Sequence, residues 1–291
     1  AAERGHRVTL LERANHLGGT ARFSSLTTPL NGDLVRWMAA ALAEANVEVR
    51  TATTATPTMV AALRPDAVVV ATGAVRDRPN VPGVDLPHVL SGDDLRSLLT
   101  GEGGATDQRS GPLVRLALTV ARALGMTTDM DRVRALSRRW MPIGRRVVVV
   151  GGGLVGTELA EFLVERGRSV TVLEEGDDLA TEMAHPRRWR ALHEARAHGV
   201  DFRTGTRLVA VTADEVIAHT AATDEEKDGD EVRFGADSVL LAGSVQPDSS
   251  LAGAIRTGIG GDVEVHVVGD AGTIGYIEGA IRSGYEVGVG L

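Results

Sequence analysis

The segment from Gly151 to Gly156, GGGLVG, has the spacing of a loop that binds phosphate through its backbone. It follows four consecutive valines, which favour a buried strand, and it precedes an apolar stretch with helical periodicity. An acidic residue, Glu174, stands at the end of the next predicted strand. A strand, a G-x-G-x-x-G turn, a helix and an acidic residue in this order form a dinucleotide-binding fingerprint. The sequence therefore predicts a dinucleotide site here, with a glycine-rich turn that binds no ligand as the alternative.

The residues of this motif have separate predicted roles. Gly151 permits a tight turn, Gly153 lets backbone amides approach a pyrophosphate, and Gly156 lets the helix pack close to the strand. The helix begins near Leu154 and Val155, and its N-terminus supplies partial positive charge to the phosphates.

Glu174 is predicted to accept hydrogen bonds from the adenosine ribose. Together with Glu175 it would repel a 2′-phosphate: at about 5 Å and an effective dielectric constant near 20, each unit-charge repulsion is ~3 kcal/mol before salt screening. We therefore expect NAD(H) to be favoured over NADP(H). Arg187 and Arg188 leave the alternative open, because they could fold back toward a 2′-phosphate.

The beginning of the sequence nearly repeats a later segment. Residues 1–13, AAERGHRVTLLER, align with residues 163–175, LVERGRSVTVLEE, at an offset of 162. Glu12 takes the place of Glu174, so Glu12, followed by Arg13, is predicted to bind a second adenosine ribose; a solvated carboxylate is the alternative. Gly18 and Gly19 could admit a second pyrophosphate, or form a plain turn. Because the second copy is preceded by a strand and a glycine loop, we expect the sequence to begin partway through a first such unit.

Glycines also end two other predicted strands. Thr72 and Gly73 follow the AVVVA run, and Gly243 follows SVLLA. Ligands of open α/β sheets bind at the carboxyl ends of the strands, so these positions are candidate cofactor contacts. Ordinary strand exits are the alternative reading.

The elements that must position these residues follow from the apolar pattern. Strands are predicted at 7–12, 47–50, 67–71, 146–150, 237–242 and 263–268, with strand pairs at 200–219 and 231–241 around an acidic turn. Helices are predicted at 34–45, 113–124 and 131–140 and from about Ile277, a loop at 101–112, and a helix end at 1–4 capped by Gly5. The β-branched run at 67–71 is expected to be buried on both faces.

Composition excludes several classes of function. The formal net charge of −8 argues against a nucleic-acid partner. With no cysteine, the sequence holds no disulphide, redox dithiol or iron–sulphur ligand. It shows no apolar run of the roughly 20 residues that span a bilayer and no signal-peptide profile, so a cytoplasmic protein is expected. The histidines do not share a helical face, so no metal site is predicted, and no nucleophile–base pair indicates a catalytic residue.

These segments together resemble a known class of flavoproteins. The order is a ribose-binding acid, LGG, ATG, GGGLVGTELAEFL, a strand ending in Gly243, and VHVVGDA. This order is similar to flavoproteins with two dinucleotide-binding domains. Three segments, RGHRVTLLERANHLGGTARF, RPDAVVVATGAVRDRPNVPG and HVLSGDDL, most resemble the C-terminal half of Old Yellow Enzyme-like reductases. That family includes 2,4-dienoyl-CoA reductase, 2-enoate reductase and trimethylamine dehydrogenase.

The resemblance implies an α/β fold with two Rossmann-like domains, in which an NAD(P) domain is inserted into an FAD domain. The FAD domain would comprise residues 1–100 and 243–291, without its first strand and glycine loop. Residues 101–144 would form a helical insertion, and residues 145–242 the NAD(P) domain.

The resemblance also implies roles for the candidate residues. Glu12 with Gly18 and Gly19 would hold the adenosine and pyrophosphate of FAD. Asp270, in the Gly269-Asp270 pair, would face the ribitol, and amides near Ile277 would face the flavin pyrimidine. Hydride would pass from NAD(H), held by the 151–156 loop and Glu174, to the flavin.

The same resemblance implies a partner outside this sequence, an N-terminal barrel of the same polypeptide with FMN and a 4Fe-4S cluster that reduces an activated C=C bond. Two alternatives remain open. One is a freestanding NADH-dependent reductase of a ferredoxin-like carrier, and the other is a non-catalytic module that holds ADP. Dimerisation through the inserted helices is a further open alternative.

Overall fold

The structure is a computed structural model that describes residues 1–100, 129–221, 229–259 and 263–291. The chain divides into two compact units. The first unit comprises Ala1–Ser24, Leu30–Asp77 and Val245–Leu291, and the second comprises Ser25–Pro29 and Arg78–Ser244. The loop predicted at 101–112 and the helix predicted at 113–124 lie outside the described residues.

The strands in chain order are β1 (Thr9–Leu11), β2 (Glu48–Arg50), β3 (Ala67–Val70), β4 (Ala74–Arg76), β5 (Val89–Ser91), β6 (Arg146–Val150), β7 (Ser169–Leu173), β8 (Asp201–Arg203), β9 (Thr206–Val211), β10 (Glu215–Thr220), β11 (Glu231–Gly235), β12 (Ser238–Leu241), β13 (Val245–Pro247) and β14 (Glu264–Val267). The helices are α1 (Gly19–Ser24), α2 (Leu30–Glu44), α3 (Pro57–Leu63), α4 (Gly92–Thr100), α5 (Met130–Ser137), α6 (Leu154–Val164), α7 (His185–Ala197), α8 (Ser250–Ile259) and α9 (Tyr276–Gly290).

The second unit is built on a parallel sheet with the strand order β5-β12-β6-β7-β8. Val147–Val149 of β6 and all four residues of β12 are buried, as expected for central strands whose faces are both covered. α6 follows β6 and packs on β7 and on α7. This sheet confirms the predicted mixed α/β fold with parallel strands.

A smaller antiparallel sheet, β9-β10-β11, completes the second unit. β10 and β11 form the strand pair that was predicted on the two sides of the acidic turn. Buried side chains from this sheet, among them Val211 and Val216, form one apolar core with Val239 and Leu241 of β12.

The described residues of the first unit form three two-stranded sheets. β1 pairs with β2 and β3 pairs with β14, both in parallel, while β4 pairs with β13 antiparallel. Its core joins β3 to helices α3 and α8 through Val60, Val70, Ala252 and Ile255. α3 begins after Thr56, whose hydroxyl accepts a hydrogen bond from Met59 N–H at 3.2 Å.

The local predictions differ from the structure at a few positions. Gly5 adopts the predicted left-handed cap, with φ of 94°, after a single 3-10 turn, Ala2–Arg4. α2 begins at Leu30, before the predicted start at 34, and α5 ends at Ser137, before the predicted end at 140. The expectation that residues 67–71 are buried on both faces is wrong: Val69 is 43% exposed, while Val70 is 3% exposed. Among the described residues β3 has one strand neighbour, so its face is only partly covered.

None of the helices in the described part of the chain combines the length and apolarity needed to cross a membrane.

Candidate dinucleotide-binding sites

Three predicted residues of the second unit follow strands that are neighbours in the parallel sheet. The last residues of β6, β7 and β12 are in register with one another. Gly151 follows β6, Glu174 follows β7, and Gly243 follows β12 after one further residue. The structure therefore brings all three to the carboxyl edge of the sheet, where α/β proteins bind ligands. At Gly243 a Cβ would meet no atom within 4 Å, so this position opens to space.

Gly151 and Gly156 occupy positions at which a side chain cannot be accommodated. Gly151 has φ of 107°, and a Cβ there would lie 2.7 Å from the Ala242 carbonyl oxygen. A Cβ on Gly156 would lie 1.9 Å from the Gly151 carbonyl oxygen. Both neighbours are backbone atoms, which cannot rotate away. The geometry thus requires glycine for the tight turn and for the close approach of α6.

Gly153 is the N-cap of α6 and makes no side-chain capping bond. Leu154 and Val155 begin the helix, and the backbone N–H of Leu154 donates to Glu182 Oε2 at 3.1 Å. A carboxylate from the segment after β7 therefore supplies negative charge at the helix N-terminus. No motif or spacing in the sequence distinguishes Glu182 from the other acidic residues after Glu174, so its position at the helix N-terminus was not predicted.

The carboxylate of Glu174 accepts two backbone hydrogen bonds. Its Oε2 accepts from Gly152 N–H at 2.7 Å, and its Oε1 accepts from Gly176 N–H at 2.9 Å. These bonds fix the acidic residue directly beside the glycine loop. The structure thus brings together the phosphate-binding and ribose-binding parts of the predicted site.

The two arginines that could have approached a 2′-phosphate have other partners. The Nε of Arg188 donates to the Leu179 carbonyl at 2.6 Å, and its Nη2 pairs with Asp178 at 2.8 Å. Arg187 pairs with Glu158. Within the part of the chain that the structure describes, neither guanidinium forms a hydrogen bond or ion pair with Glu174.

Glu158 is a further residue that the sequence analysis missed. Its carboxylate, 13% exposed, accepts hydrogen bonds at 3.3 Å from the hydroxyls of Thr27 and Thr28, besides its pair with Arg187. These side chains line a polar cavity of about 220 Å³ on α6. On the same helix, burial raises the pKa of Glu161, and the nearby Glu165 raises it further. A glutamate two positions after the last motif glycine was the available signal.

In the first unit, Glu12 follows β1 as Glu174 follows β7. Its Oε1 accepts from the Ala14 N–H at 2.8 Å. Arg13 is exposed beside it. Gly18 has φ of 105°, and a Cβ there would lie 2.6 Å from Val35 Cγ1, whereas Gly19 begins α1 with nothing within 4 Å of its Cβ position.

The remaining candidates of the first unit meet at one sheet edge. Because β3 and β14 pair in parallel, the Thr72-Gly73 and Gly269-Asp270 segments follow neighbouring strands. Asp270 Oδ1 accepts from Gly275 N–H and Tyr276 N–H, both at 2.9 Å. This carboxylate therefore binds the start of α9, in whose first turn Ile277 lies.

Neither unit offers a metal site in its described part: no group of three histidine, aspartate or glutamate side chains could hold an ion there.

Comparison with known proteins gives relatives that are much longer than this chain. The chain is 30% identical over 290 residues to an NADH oxidase of Thermoanaerobacter brockii, covering 99% of this chain and 38% of that protein. It is 29% identical over 289 residues to a bilirubin reductase of Mediterraneibacter gnavus, covering 98% of this chain and 37% of that protein. The chain thus spans less than two fifths of the length of these relatives.

A solved structure of 2-naphthoyl-CoA reductase in complex with 2-naphthoyl-CoA shares the fold. Its TM-score is 0.77 at 24% sequence identity, and the alignment covers 100% of this chain and 37% of that one. Comparison with protein families matches residues 53–267 to the pyridine nucleotide-disulphide oxidoreductases. Because this match extends over most of the sequence, the chain belongs to the pyridine nucleotide-disulphide oxidoreductase family, whose members are FAD-dependent oxidoreductases.

Proposed function

We propose that this chain is a reductase module that passes hydride from NAD(P)H to FAD, with NADH preferred. The main support for this proposal is the glycine loop of the second unit. Glu174 accepts a hydrogen bond from this loop at the carboxyl edge of a five-stranded parallel sheet. When bound, the nicotinamide supplies a hydride and the flavin accepts it. The role of the protein is to bind and orient the two nucleotides.

The second unit fits a dinucleotide. Gly151 and Gly156 permit the tight turn and the close approach of α6, and the amides at the start of α6, where the Leu154 N–H donates to Glu182, would turn to a pyrophosphate when it binds. Glu174, fixed beside the loop, would accept hydrogen bonds from the ribose. NADH preference is supported by the negative charge of Glu174, by that of Glu175, which Arg207 partly offsets at 3.9 Å, and by the engagement of Arg188 with Asp178.

The first unit would hold FAD through the residues at its carboxyl edges: Glu12, Arg13, Gly18, Gly19, Thr72, Gly73, Gly269, Asp270 and Ile277. Glu12 supports this assignment because it accepts a backbone bond two residues ahead, as Glu174 does. β1 and β3 each have a single strand neighbour among the described residues. We propose that a parallel strand with its own glycine loop pairs with these strands in the full protein.

Electrons would leave this module for an N-terminal barrel of the same polypeptide, with FMN and a 4Fe-4S cluster, that reduces an activated C=C bond. Two facts support this proposal. The NADH oxidase and bilirubin reductase relatives have most of their length outside the aligned part. The present sequence has no cysteine, so it cannot use the dithiol chemistry that the family name suggests.

The test is to identify the nucleotides released from the purified full-length protein, together with its intact mass and its rate of NADH oxidation. FAD, NADH oxidation and a mass well above 30.5 kDa are the expected results. FAD and NADH oxidation in a protein without a barrel would favour the freestanding reductase. Released ADP without flavin, and no NADH oxidation, would overturn the proposal in favour of a module that only holds ADP.

A further inference from the structure

The carboxylate of Glu182 lies against the same backbone that the proposed pyrophosphate would contact. Its Oε2 accepts from Leu154 N–H at 3.1 Å. Its Oε1 lies 2.8 Å from the position that a Cβ on Gly153 would take. The space that the missing Gly153 side chain leaves open is therefore filled by a negatively charged group from another element.

A tight turn places Glu182 there. The N–H of Ala180 donates to the Gly152 carbonyl at 2.8 Å, and the N–H of Met183 donates to the Ala180 carbonyl at 3.0 Å. Ala180 and Met183, on either side of Glu182, are 1% and 6% exposed. Ala180 also adopts a left-handed conformation with φ of 48°, which a non-glycine residue keeps only where its surroundings hold it.

Two negative charges compete for one helix end. A helix N-terminus stabilises an anion through its unpaired amides and its dipole, and a carboxylate and a phosphate use the same groups. Placed together they would repel each other in a partly desolvated site. A pyrophosphate that binds to the start of α6 must therefore displace the carboxylate of Glu182.

We propose that Glu182 is a displaceable internal ligand of the dinucleotide site. Its carboxylate occupies the start of α6 in the nucleotide-free protein and leaves when the pyrophosphate binds. This inference rests on the proposed function of the second unit. The cost of displacing the carboxylate lowers the affinity for ligands that carry a pyrophosphate, and so Glu182 sets how readily the dinucleotide is released.

The test is calorimetric titration with ADP-ribose, which carries the adenosine and the pyrophosphate but no nicotinamide. In the full-length protein, Glu182→Gln is expected to bind ADP-ribose about five- to tenfold more tightly than the unchanged protein. The matched control is Asp177→Asn, which removes one negative charge from an exposed residue of the same segment. That control is expected to change the affinity less than twofold.

A thermal unfolding measurement without ligand separates this role from a purely structural one. Glu182→Gln is expected to lower the melting temperature slightly, since it removes a charge from the helix N-terminus, while it raises the affinity. A lower affinity in Glu182→Gln, or equal gains in both variants, would overturn the proposal. If Glu182→Gln and the wild-type protein bound ADP-ribose with the same affinity, only this inference would be wrong. If no form bound ADP-ribose, the proposed function of the second unit would fall with it.

Discussion

One sequence motif stands in two different sheets of this protein. In the second unit, β7 lies between β6 and β8. In the first unit its counterpart β1 pairs with β2, and no strand of the described residues lies on its other side. By strand pairing, β2 corresponds to β8, and β3, which is followed by Ala71-Thr72-Gly73, resembles β12, which is followed by Ala242-Gly243. The strand that carries the glycine loop, β6, has no counterpart among the described strands of the first unit.

Despite this difference, the two copies share detailed backbone geometry. The N–H of Glu12 donates to the Arg50 carbonyl at 2.9 Å, and the N–H of Glu174 donates to the Arg203 carbonyl at 2.8 Å. The bond from Thr53 N–H to the Glu12 carbonyl, at 2.8 Å, likewise repeats at 2.8 Å in the second unit, from Thr206 N–H to the Glu174 carbonyl. A left-handed glycine also lies between the preceding helical turn and the strand in both units, Gly5 with φ of 94° and Gly167 with φ of 72°.

The comparison of the two units shows which features depend only on the local sequence. The strand, the acidic residue and the turns around it form in both units, because their hydrogen bonds join segments present in both. The extent of the sheet depends instead on which strand lies beside them. The glycine loop is therefore a stronger indication of a complete nucleotide site than an acidic residue after a strand. Within the described residues, Glu174 lies beside such a loop and Glu12 does not.

The largest expected effect on stability and NADH binding comes from adding a side chain at Gly156, in the glycine loop that the described residues contain only in the second unit. Gly156→Ala would place a Cβ 1.9 Å from the Gly151 carbonyl oxygen, and neither backbone can give way. We expect a loss of about 3 kcal/mol or more in stability and no measurable NADH binding. Gly253→Ala in α8 is the control, because its Cβ would meet nothing within 4 Å. Its helical position predicts a small gain in stability.

Gly156→Ala is checked by denaturant unfolding and by NADH titration. Normal NADH binding in this variant would show that the glycine loop does not bind NADH. The loop would then no longer distinguish the nucleotide site of the second unit from that of the first.

The sequence predicted the second unit better than the first. The strands around Val147–Val149 and Val239–Leu240 are continuous apolar runs, and such runs form buried parallel strands. The same reasoning failed at Val69, because the pattern of β3 is that of a central strand while its neighbours in the sheet are few. An apolar run indicates that a strand is suited to burial on both faces. It does not indicate which neighbouring strands will cover it.

At the candidate site, the glycines and Glu174 were found because their spacing is fixed by the backbone of the turn. Glu182 and Glu158 were not found. Glu182 reaches Leu154 through a turn at Ala180 whose left-handed conformation no sequence pattern announces. The partners of Glu158 include Thr27 and Thr28, which are distant in sequence, so only the folded chain brings them together.

The second prediction concerns the preference of the second unit for NADH over NADPH. We expect kcat/KM for NADH to exceed that for NADPH by between about tenfold and about a hundredfold. The reason is that ~3 kcal/mol of repulsion per carboxylate near the 2′-phosphate is reduced by salt screening. Arg188 is engaged with Asp178 at 2.8 Å and does not offset this repulsion. Steady-state kinetics with both cofactors measures the ratio, and equal values would contradict the assigned role of Glu174 and Glu175.

The third prediction separates the two ribose-binding acids. Glu174→Gln is expected to weaken NADH binding about tenfold and to leave the FAD content unchanged. Glu12→Gln is expected to lower the FAD content after purification and to leave the affinity for NADH within about twofold. The tenfold loss of NADH affinity corresponds to about 1.4 kcal/mol, near the lower end for a hydrogen bond to a charged group. Flavin absorbance and NADH titration measure the two effects, and a variant that alters both would show that the sites are not independent.

The fourth prediction concerns the amino edge of the second unit's sheet. Asp237 accepts bonds from the Arg146 side chain at 2.7 Å and 3.0 Å, and from Arg146 N–H at 2.8 Å. These bonds lower the pKa of Asp237 below its ordinary value of 3.8. Asp237→Asn is expected to cost about 1 kcal/mol, because the pair is partly exposed to solvent. Asp177→Asn, at an exposed carboxylate of the segment after β7, is the control and should change nothing measurable.

The pH dependence of this effect has a definite sign. Because the pKa is lowered in the folded state, the stabilisation by Asp237 is fully present above about pH 5. It is lost as the pH falls through the lowered folded-state pKa. The stability difference between the unchanged protein and Asp237→Asn should therefore shrink below about pH 4, as urea unfolding at several pH values would show. A constant difference down to pH 2 would mean that the Asp237 charge is not the cause.

The smallest expected effect tests the shared turn itself. Ala52 in the first unit and Gly205 in the second occupy the same left-handed position, with φ of 50° and 58°. Each donates its N–H to the residue two positions after the acidic residue, Ala14 at 2.8 Å or Gly176 at 3.0 Å. Ala52→Gly relieves a left-handed strain of about 1–2 kcal/mol and adds unfolded-state entropy worth about 0.4–1 kcal/mol. It should therefore stabilise the first unit by roughly 0–1.6 kcal/mol.

Gly205→Ala should have the opposite sign and a somewhat larger size, since its Cβ would also lie 3.3 Å from the Ala221 Cβ. Amide hydrogen exchange measures the opening of each unit separately, because every amide of the described residues belongs to one unit or the other. Opposite shifts, each confined to its own unit, would show that the turn has the same geometry in both copies. Shifts of the same sign would mean that the neighbouring strands, and not the local sequence, determine the turn.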